Sequence, residues 1–192
     1  MYLYDIQLLL QANNCKYKIS QYSHCVISMK IGILADTHDN IAAIQKAVCF
    51  FNAQDLKYVI HAGDYVAPFS LKKLMKLKAK FIGIFGNNDG ERKGLMNVCK
   101  NIHEPPYDLL LNGKHILVTH MMESLSKRST KNTDIIISAH THVPEVKEGR
   151  PLHVNPGECG AWLYGKSTVA VLDLETFRAE IIDLSSVSLD KG

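Results

Sequence analysis

From Met29 onward, apolar and polar positions follow two rhythms. Lys30–Leu34 is a short apolar run, the pattern of a strand buried on both faces. Ile41, Ile44, Val48 and Phe51 then recur at helical spacing across Ile41–Asn52, and Asn40 stands where a side-chain oxygen can cap that helix. Tyr58–His61 reads as a second strand. A helix follows from Pro68 to about Leu77, since proline suits a first turn whose N–H would lack a partner anyway. Phe81–Phe85 reads as a third strand. This βαβαβ order predicts parallel strands joined by right-handed crossovers.

The second half changes rhythm. Asp108–Leu111 and His115–Thr119 flank Asn112-Gly113, a pair that tolerates the positive φ of a tight hairpin turn. Asp134–Ser138 is another short apolar strand. Glu145–Lys147 and Leu152–Val154 flank Glu148–Pro151, and Thr168–Leu174 and Arg178–Leu184 flank Glu175-Thr176, giving two further hairpins. The expectation is one α/β domain in which a parallel half packs face to face on an antiparallel half, with helices outside. Residues 1–28 carry neither rhythm. They are read as a dispensable extension, disordered or not native, ahead of a domain spanning 29–192; the alternative is a peripheral helix around Tyr4–Gln11.

Composition narrows the classes. The chain has 192 residues, 46% of them hydrophobic and 21% charged, as in ordinary globular proteins. A net charge of +3, from 22 basic and 19 acidic residues, is too mild to argue for a nucleic-acid or anionic-membrane partner. Five cysteines with no C-x-x-C pair argue against a disulfide framework, and a cytoplasmic location is expected. The apolar stretch Ile6–Leu10 is far short of the roughly 18 residues of a membrane span.

The chemistry-bearing residues follow apolar strands. Asp36 and His38 come after the first strand, Asp64 after the second, Asn87 after the third, His120 after the hairpin strand, and His140 and His142 after Asp134–Ser138. Open α/β sheets place their sites at such carboxyl ends. Carboxylate, amide oxygen and imidazole together suit borderline metals such as Mn, Fe, Ni, Co or Zn. No cysteine joins the set, against a structural zinc site. In an extended segment residues i and i+2 share a side, so Asp36 and His38 are expected to grip one ion together, and His140 and His142 to approach one site, each favouring a different ion. Asp64 is the natural bridge between two ions. Gly63 and Gly86 permit close backbone approach.

Asp36-x-His38, Gly63-Asp64, Gly86-Asn87, Thr119-His120 and Ala139-His140-x-His142 resemble the five signature blocks of the calcineurin-like metallophosphoesterase superfamily. The order is most like its small, single-domain YfcE-type phosphodiesterases, and the stretches Asn87–Arg92 and Asn155–Glu158 strengthen the likeness. The resemblance covers Met29 to Leu184. It implies a four-layer αββα sandwich of two packed mixed β-sheets. It also implies two divalent ions, usually Mn with Ni, Fe, Co or Zn as substitutes. One ion would be held by Asp36, His38, Asp64 and His142, the other by Asp64, Asn87, His120 and His140. A hydroxide between the ions, held roughly 3.5–4 Å apart, would attack a small phosphodiester.

There are departures from the family pattern. Many superfamily members carry a leaving-group His directly after the block-three Asn; Asn88 stands there, and an amide is no general acid. Met121 replaces a Gly after His120. Rival readings are a non-catalytic protein-binding scaffold, as in a retromer coat subunit of this fold, and, ranked last, a nuclease. A homodimer is compatible with the chain but unargued by it. Asp89 and Arg92 are weaker candidates, with Arg92 weighed as a phosphate grip. Thr37, Thr141 and Asn155 are expected to shape turns and loops, and His61 is the one isolated histidine placed to orient a neighbour. Trp162 and Tyr164 are read as packing or oligomer contacts rather than a stacking platform.

Overall fold

In the computed structural model, which describes residues 28–125 and 130–187, the alternation within strand β1 (Lys30–Leu34) divides its side chains between two cores. Ile31 and Ile33 enter a layer between two sheets, while Leu34 joins a second layer beneath the helices. Gly32 makes room on the helix side: a Cβ there would lie 2.7 Å from the Phe51 ring. Residues 1–27, including the helix weighed at Tyr4–Gln11, lie outside the described residues.

Strands β2 (Leu56–His61), β3 (Lys80–Ile84) and β4 (Ile102–His103) continue from β1 in parallel. Three strands of the second sheet, β6 (Lys114–Val118), β7 (Ile135–Ile137) and β9 (Leu152–Asn155), are likewise parallel to one another. Antiparallel edges are added by β5 (Tyr107–Leu111) and β8 (Glu145–Lys147). The β5–β6 hairpin turns through Asn112 (φ 49°) and Gly113 (φ 72°), both left-handed.

The expected division into a parallel half and an antiparallel half is corrected, because both sheets are mixed. The last hairpin, β10 (Thr168–Asp173) and β11 (Arg178–Asp183), joins the first sheet antiparallel to β1, giving six strands beside five. The reason lies in β10 itself: Ala170 and Leu172 fill the layer between the sheets while Val169 packs under the helices. A strand apolar on both faces needs an interior position.

Helices α1 (Ile41–Asn52), α2 (Pro68–Leu74) and α3 (Arg92–Val98) cover the outer face of the first sheet. Asn40 caps α1 through its Oδ1, which accepts from the Ala43 N–H at 3.1 Å. Ile44, Phe51, Leu71 and Leu95 are buried there, each contributing about 1.5–3 kcal/mol. α2 ends at Leu74 rather than near Leu77; Leu77 reaches the same apolar layer from a following turn. Over the second sheet, among the described residues, Leu117 and Ile136 are covered by Leu125 of a single 3-10 turn, Met122–Leu125. Among the described residues the fourth layer is therefore thin. No described helix is long and apolar enough to cross a membrane.

Because β1, β2 and β3 run parallel, the residues that follow them emerge along one edge. Asp36 N–H donates to the Gly63 carbonyl at 3.0 Å, and Ala139 N–H to the His120 carbonyl at 3.0 Å. The loops named by the sequence are thus tied to one another.

Candidate metal centre

The loop after β1 turns sharply instead of continuing as a strand. Asp36 (φ 50°) and His38 (φ 39°) are left-handed, as are Asp64 (φ 64°), His140 (φ 70°) and His142 (φ 62°). The extended i, i+2 pairing expected for Asp36 with His38 and for His140 with His142 is therefore corrected: turns, not pleats, aim these side chains. Left-handed backbone at non-glycine residues is costly, and it concentrates at functional sites. Gly63 (φ 102°) allows a close approach. A Cβ on it would sit 2.7 Å from His120 Nδ1 and 2.8 Å from Gly86 Cα.

The side chains converge. His38 Nε2 lies 3.6 Å from Asp64 Oδ2 and 3.9 Å from Asp36 Oδ1. His120 Nε2 lies 3.4 Å from Asp64 Oδ2 and 3.9 Å from Asp36 Oδ1. His142 Nε2 lies 3.7 Å from Asp36 Oδ1. Among the described residues two trios have donor atoms close enough to share an ion: Asp36 with His38 and His142, and Asp36 with Asp64 and His120. Asp36, assigned by the sequence to one ion only, thus belongs to both trios. The other two candidates are more open. His140 is exposed, its ring 5.3 Å from that of His120, and its backbone N–H donates to Asp36 Oδ2 at 3.3 Å. Asn87 is exposed and belongs to neither trio.

Each gathered group is aimed by a neighbour. His120 Nδ1 meets the Ala62 carbonyl at 2.8 Å, so that nitrogen carries the proton and Nε2 presents its lone pair inward. Asp64 accepts from the Asn88 N–H at 2.8 Å on Oδ1 and from Asn88 Nδ2 at 2.7 Å on Oδ2. Burial alone would raise the pKa of Asp64, but His120 and Asn88 outweigh it and hold the carboxyl well below the usual range. Burial likewise opposes protonation of His120, yet Asp64 and Asp36 leave its pKa raised. For Asp36 burial dominates over the pull of His120 and His142, and its pKa rises to about 6.

His61 takes the orienting position the sequence suggested. It is buried, its Nδ1 accepts from the Gly63 N–H at 3.2 Å, and its Nε2 meets Thr37 Oγ1 at 3.1 Å. Thr37 passes the link on to the Asp64 carbonyl at 3.3 Å. Burial holds the His61 pKa far below its ordinary value, so the ring is a neutral brace. Asn155 holds the Ala139 carbonyl and Thr141 Oγ1, a loop-shaping part as expected.

Two residues carry more than the sequence assigned them. Asp89 is 2% exposed and accepts four backbone N–H groups, from Asp64, Tyr65, Val66 and Gly86. Glu158 is buried with Oε1 3.3 Å from His142 Nδ1, and it also accepts from the Trp162 and Leu163 N–H groups. No local signal reveals these partnerships, since the partners lie far off or across a turn. The Arg92 guanidinium, weighed as a phosphate grip, is bonded to Glu104 at 2.6 and 2.8 Å and lies over the Phe85 ring. Trp162, read as packing or an oligomer contact, is 63% exposed, which sets aside interior packing and leaves the oligomer contact untested.

The calcineurin-like phosphoesterase superfamily domain matches residues 29–177. A phosphodiesterase of Methanocaldococcus jannaschii is 37% identical over 156 residues, covering 77% of this chain and 94% of that protein. The solved structure of an archaeal phosphodiesterase is similar over 81% of this chain and 99% of that one, with 34% identity and a TM-score of 0.74. Two more distant structures share the fold. The phosphoesterase YfcE of E. coli has 19% identity, a TM-score of 0.63 and coverage of 81% and 100%. Vps29 of Entamoeba histolytica complexed with zinc has 17% identity, a TM-score of 0.53 and coverage of 81% and 99%. The match across most of the chain, over the same loops that gather these carboxylates and imidazoles, makes this protein a member of the calcineurin-like phosphoesterase superfamily.

Proposed function

We propose that the protein is a metal-dependent phosphodiesterase acting on small phosphodiesters. One observation carries this reading. Asp36 Oδ1, His38 Nε2 and His120 Nε2 are buried, have no hydrogen-bond partner among the described residues, and face one another. Leaving such atoms unsatisfied costs about 1–3 kcal/mol each. Divalent cations satisfy them at once, and carboxylate with imidazole is the donor chemistry such ions accept. The 37% identity to a phosphodiesterase supports the same reading.

In this proposal Asp36, His38, Asp64 and His142 would hold one ion. Asp64, Asn87, His120 and His140 would hold the other, Asp64 being common to both sets. Mn fits this set, and Ni, Fe, Co or Zn are compatible substitutes. Two ions bound there supply positive charge for the phosphate oxygens and make hydroxide available near neutral pH. The protein's own part is aim. The Ala62 carbonyl fixes the His120 tautomer, Asn88 orients the Asp64 carboxylate, and His61 steadies Thr37 and Gly63. Asn88 cannot give a proton, so the departing alkoxide takes one from water.

Ion uptake is expected to weaken as pH falls through about 6, where Asp36 of the metal-free chain gains its proton. Below that pH an entering ion must displace the proton; above it the carboxylate is already free. Calorimetric titration with Mn at pH 5.0 and 7.5 should differ by at least about tenfold in affinity. The same Mn-loaded protein should hydrolyse bis(p-nitrophenyl) phosphate at pH 7.5. Absence of both uptake and hydrolysis would sink the reading and leave a non-catalytic scaffold in its place.

The functional unit is taken to begin at Met29, where the family match starts. Met29 contributes its carbonyl to the Leu174 N–H at 3.0 Å, and Lys30 pairs with both Asp173 and Leu56. A chain beginning at Met29 should unfold cooperatively within about 3 °C of the full chain and take up Mn equally. Loss of cooperative unfolding would refute that boundary.

A further inference from the structure

Beside the candidate metal centre lies an open depression of about 470 Å³, lined by His38, Asn88, His142, Trp162 and Leu163. Two of its walls are candidate ion-holding side chains, and a third is the only tryptophan in the chain. The indole is 63% exposed, yet it is held in place from three directions. Its Nε1–H donates to the His38 carbonyl at 3.1 Å. Its Cδ1 rests against Gly160, where a Cβ would come within 2.9 Å, and Gly160 N–H is bonded to the Asp36 carbonyl at 3.0 Å. Its backbone N–H donates to Glu158 Oε1 at 2.7 Å, and that oxygen lies 3.3 Å from His142 Nδ1. Trp162 is therefore indexed to Asp36, His38 and His142 by three separate links. Leu163, 65% exposed, is tied to the same buried carboxylate at 3.0 Å.

A large aromatic surface left in water and held rigid is preorganised to stack, because its conformational freedom is already lost before a ligand arrives. None of the five lining residues is Lys or Arg, so the depression suits an uncharged planar group rather than a second phosphate. We propose that Trp162, backed by Leu163, stacks against a planar aromatic ester group of the substrate while the phosphodiester lies at Asp36, His38 and His142. This rests on the phosphodiesterase reading and deepens it, making aryl or nucleoside-bearing diesters the preferred class over purely alkyl ones. Trp162 is thus a specificity-determining residue, and Glu158 is a positioning residue that acts through it and through His142.

The test compares two competitors, diphenyl phosphate and dimethyl phosphate, against hydrolysis of bis(p-nitrophenyl) phosphate by the Mn-loaded full chain. Diphenyl phosphate should bind at least about tenfold more tightly than dimethyl phosphate. Trp162→Ala should reduce that gap to about twofold, and Trp162→Phe should keep most of it. The inhibition constant for dimethyl phosphate and the Mn stoichiometry should not move in either variant. The fluorescence of Trp162 in the unmodified protein should respond to diphenyl phosphate and not to dimethyl phosphate. An aromatic preference that is missing, or that survives in Trp162→Ala, overturns the proposal. So does a dimer in sedimentation that Trp162→Ala splits, since the wall would then be an interface between copies. Hydrolysis without aromatic preference defeats this inference alone, whereas absence of Mn uptake and hydrolysis in the unmodified protein defeats the phosphodiesterase reading with it.

Discussion

Asp64→Asn is expected to lower kcat/KM on bis(p-nitrophenyl) phosphate by roughly 10³-fold or more and to weaken Mn uptake, with Asp64→Ala at least as damaging. The magnitude follows from position. Asp64 faces His120 at 3.4 Å and His38 at 3.6 Å, so one carboxylate serves both sides of the site. Its negative charge is held firmly, because His120 and Asn88 keep its pKa well below the usual range against the opposing effect of burial. Asparagine keeps the shape and removes the charge, and charge is the property a pair of cations needs most. Calorimetry with Mn and initial rates on one preparation would read both effects. An Asp64→Asn protein that binds Mn as the natural chain does, and retains activity within about tenfold, would contradict the assignment.

Asp89→Ala should damage the molecule in a different way, through folding as well as activity. The Asp89 carboxylate accepts from Tyr65 and Val66 at 2.8 and 2.9 Å on one oxygen, and from Asp64 and Gly86 at 3.0 and 2.7 Å on the other. It fastens the Asp64–Val66 loop, which includes left-handed Asp64 and Val66, to the turn after β3. Alanine leaves four N–H groups without their acceptor in a nearly closed space. The expected loss is about 3–5 kcal/mol. Thermal unfolding should fall by about 10 °C, and Mn uptake should fall with it because Asp64 loses its backbone anchor. Asp89→Asn should lie between the two, since one oxygen remains an acceptor. A melting temperature within about 2 °C of the natural protein would show that the loop is held by something else.

The contrast between these two aspartates marks what could be read from the chain alone. Asp64 follows an apolar strand and a glycine, a local signal visible in six residues. Asp89 sits one residue beyond the pair Asn87-Asn88, and nothing nearby reveals that its partners lie 23–25 residues earlier. Glu158 is similar: it was visible only as the end of a four-residue stretch, while its approach to His142 depends on how the loop after β9 returns to the site. The turn that brings Asp36 and His38 together is hidden for a related reason. A dipeptide spacing does not say whether the backbone is pleated or turned, and here Asp36, at φ 50°, leaves β1 in a left-handed turn.

The strands other than β4, α1 with its Asn40 cap, the Asn112-Gly113 turn and the placing of Asp36, Asp64, His120 and His142 after strand ends were determined by the sequence itself. Each rests on periodicity or turn chemistry acting over a few residues. Tertiary structure alone decided that β10 and β11 join the first sheet, that Asp36 faces His120 as well as His38 and His142, and that Asp89, Glu158 and Trp162 frame them. Those outcomes depend on which two-faced strand finds burial on both sides, and on contacts between loops distant in the chain. Such contacts come into being only when parallel strands bring their carboxyl ends to one edge.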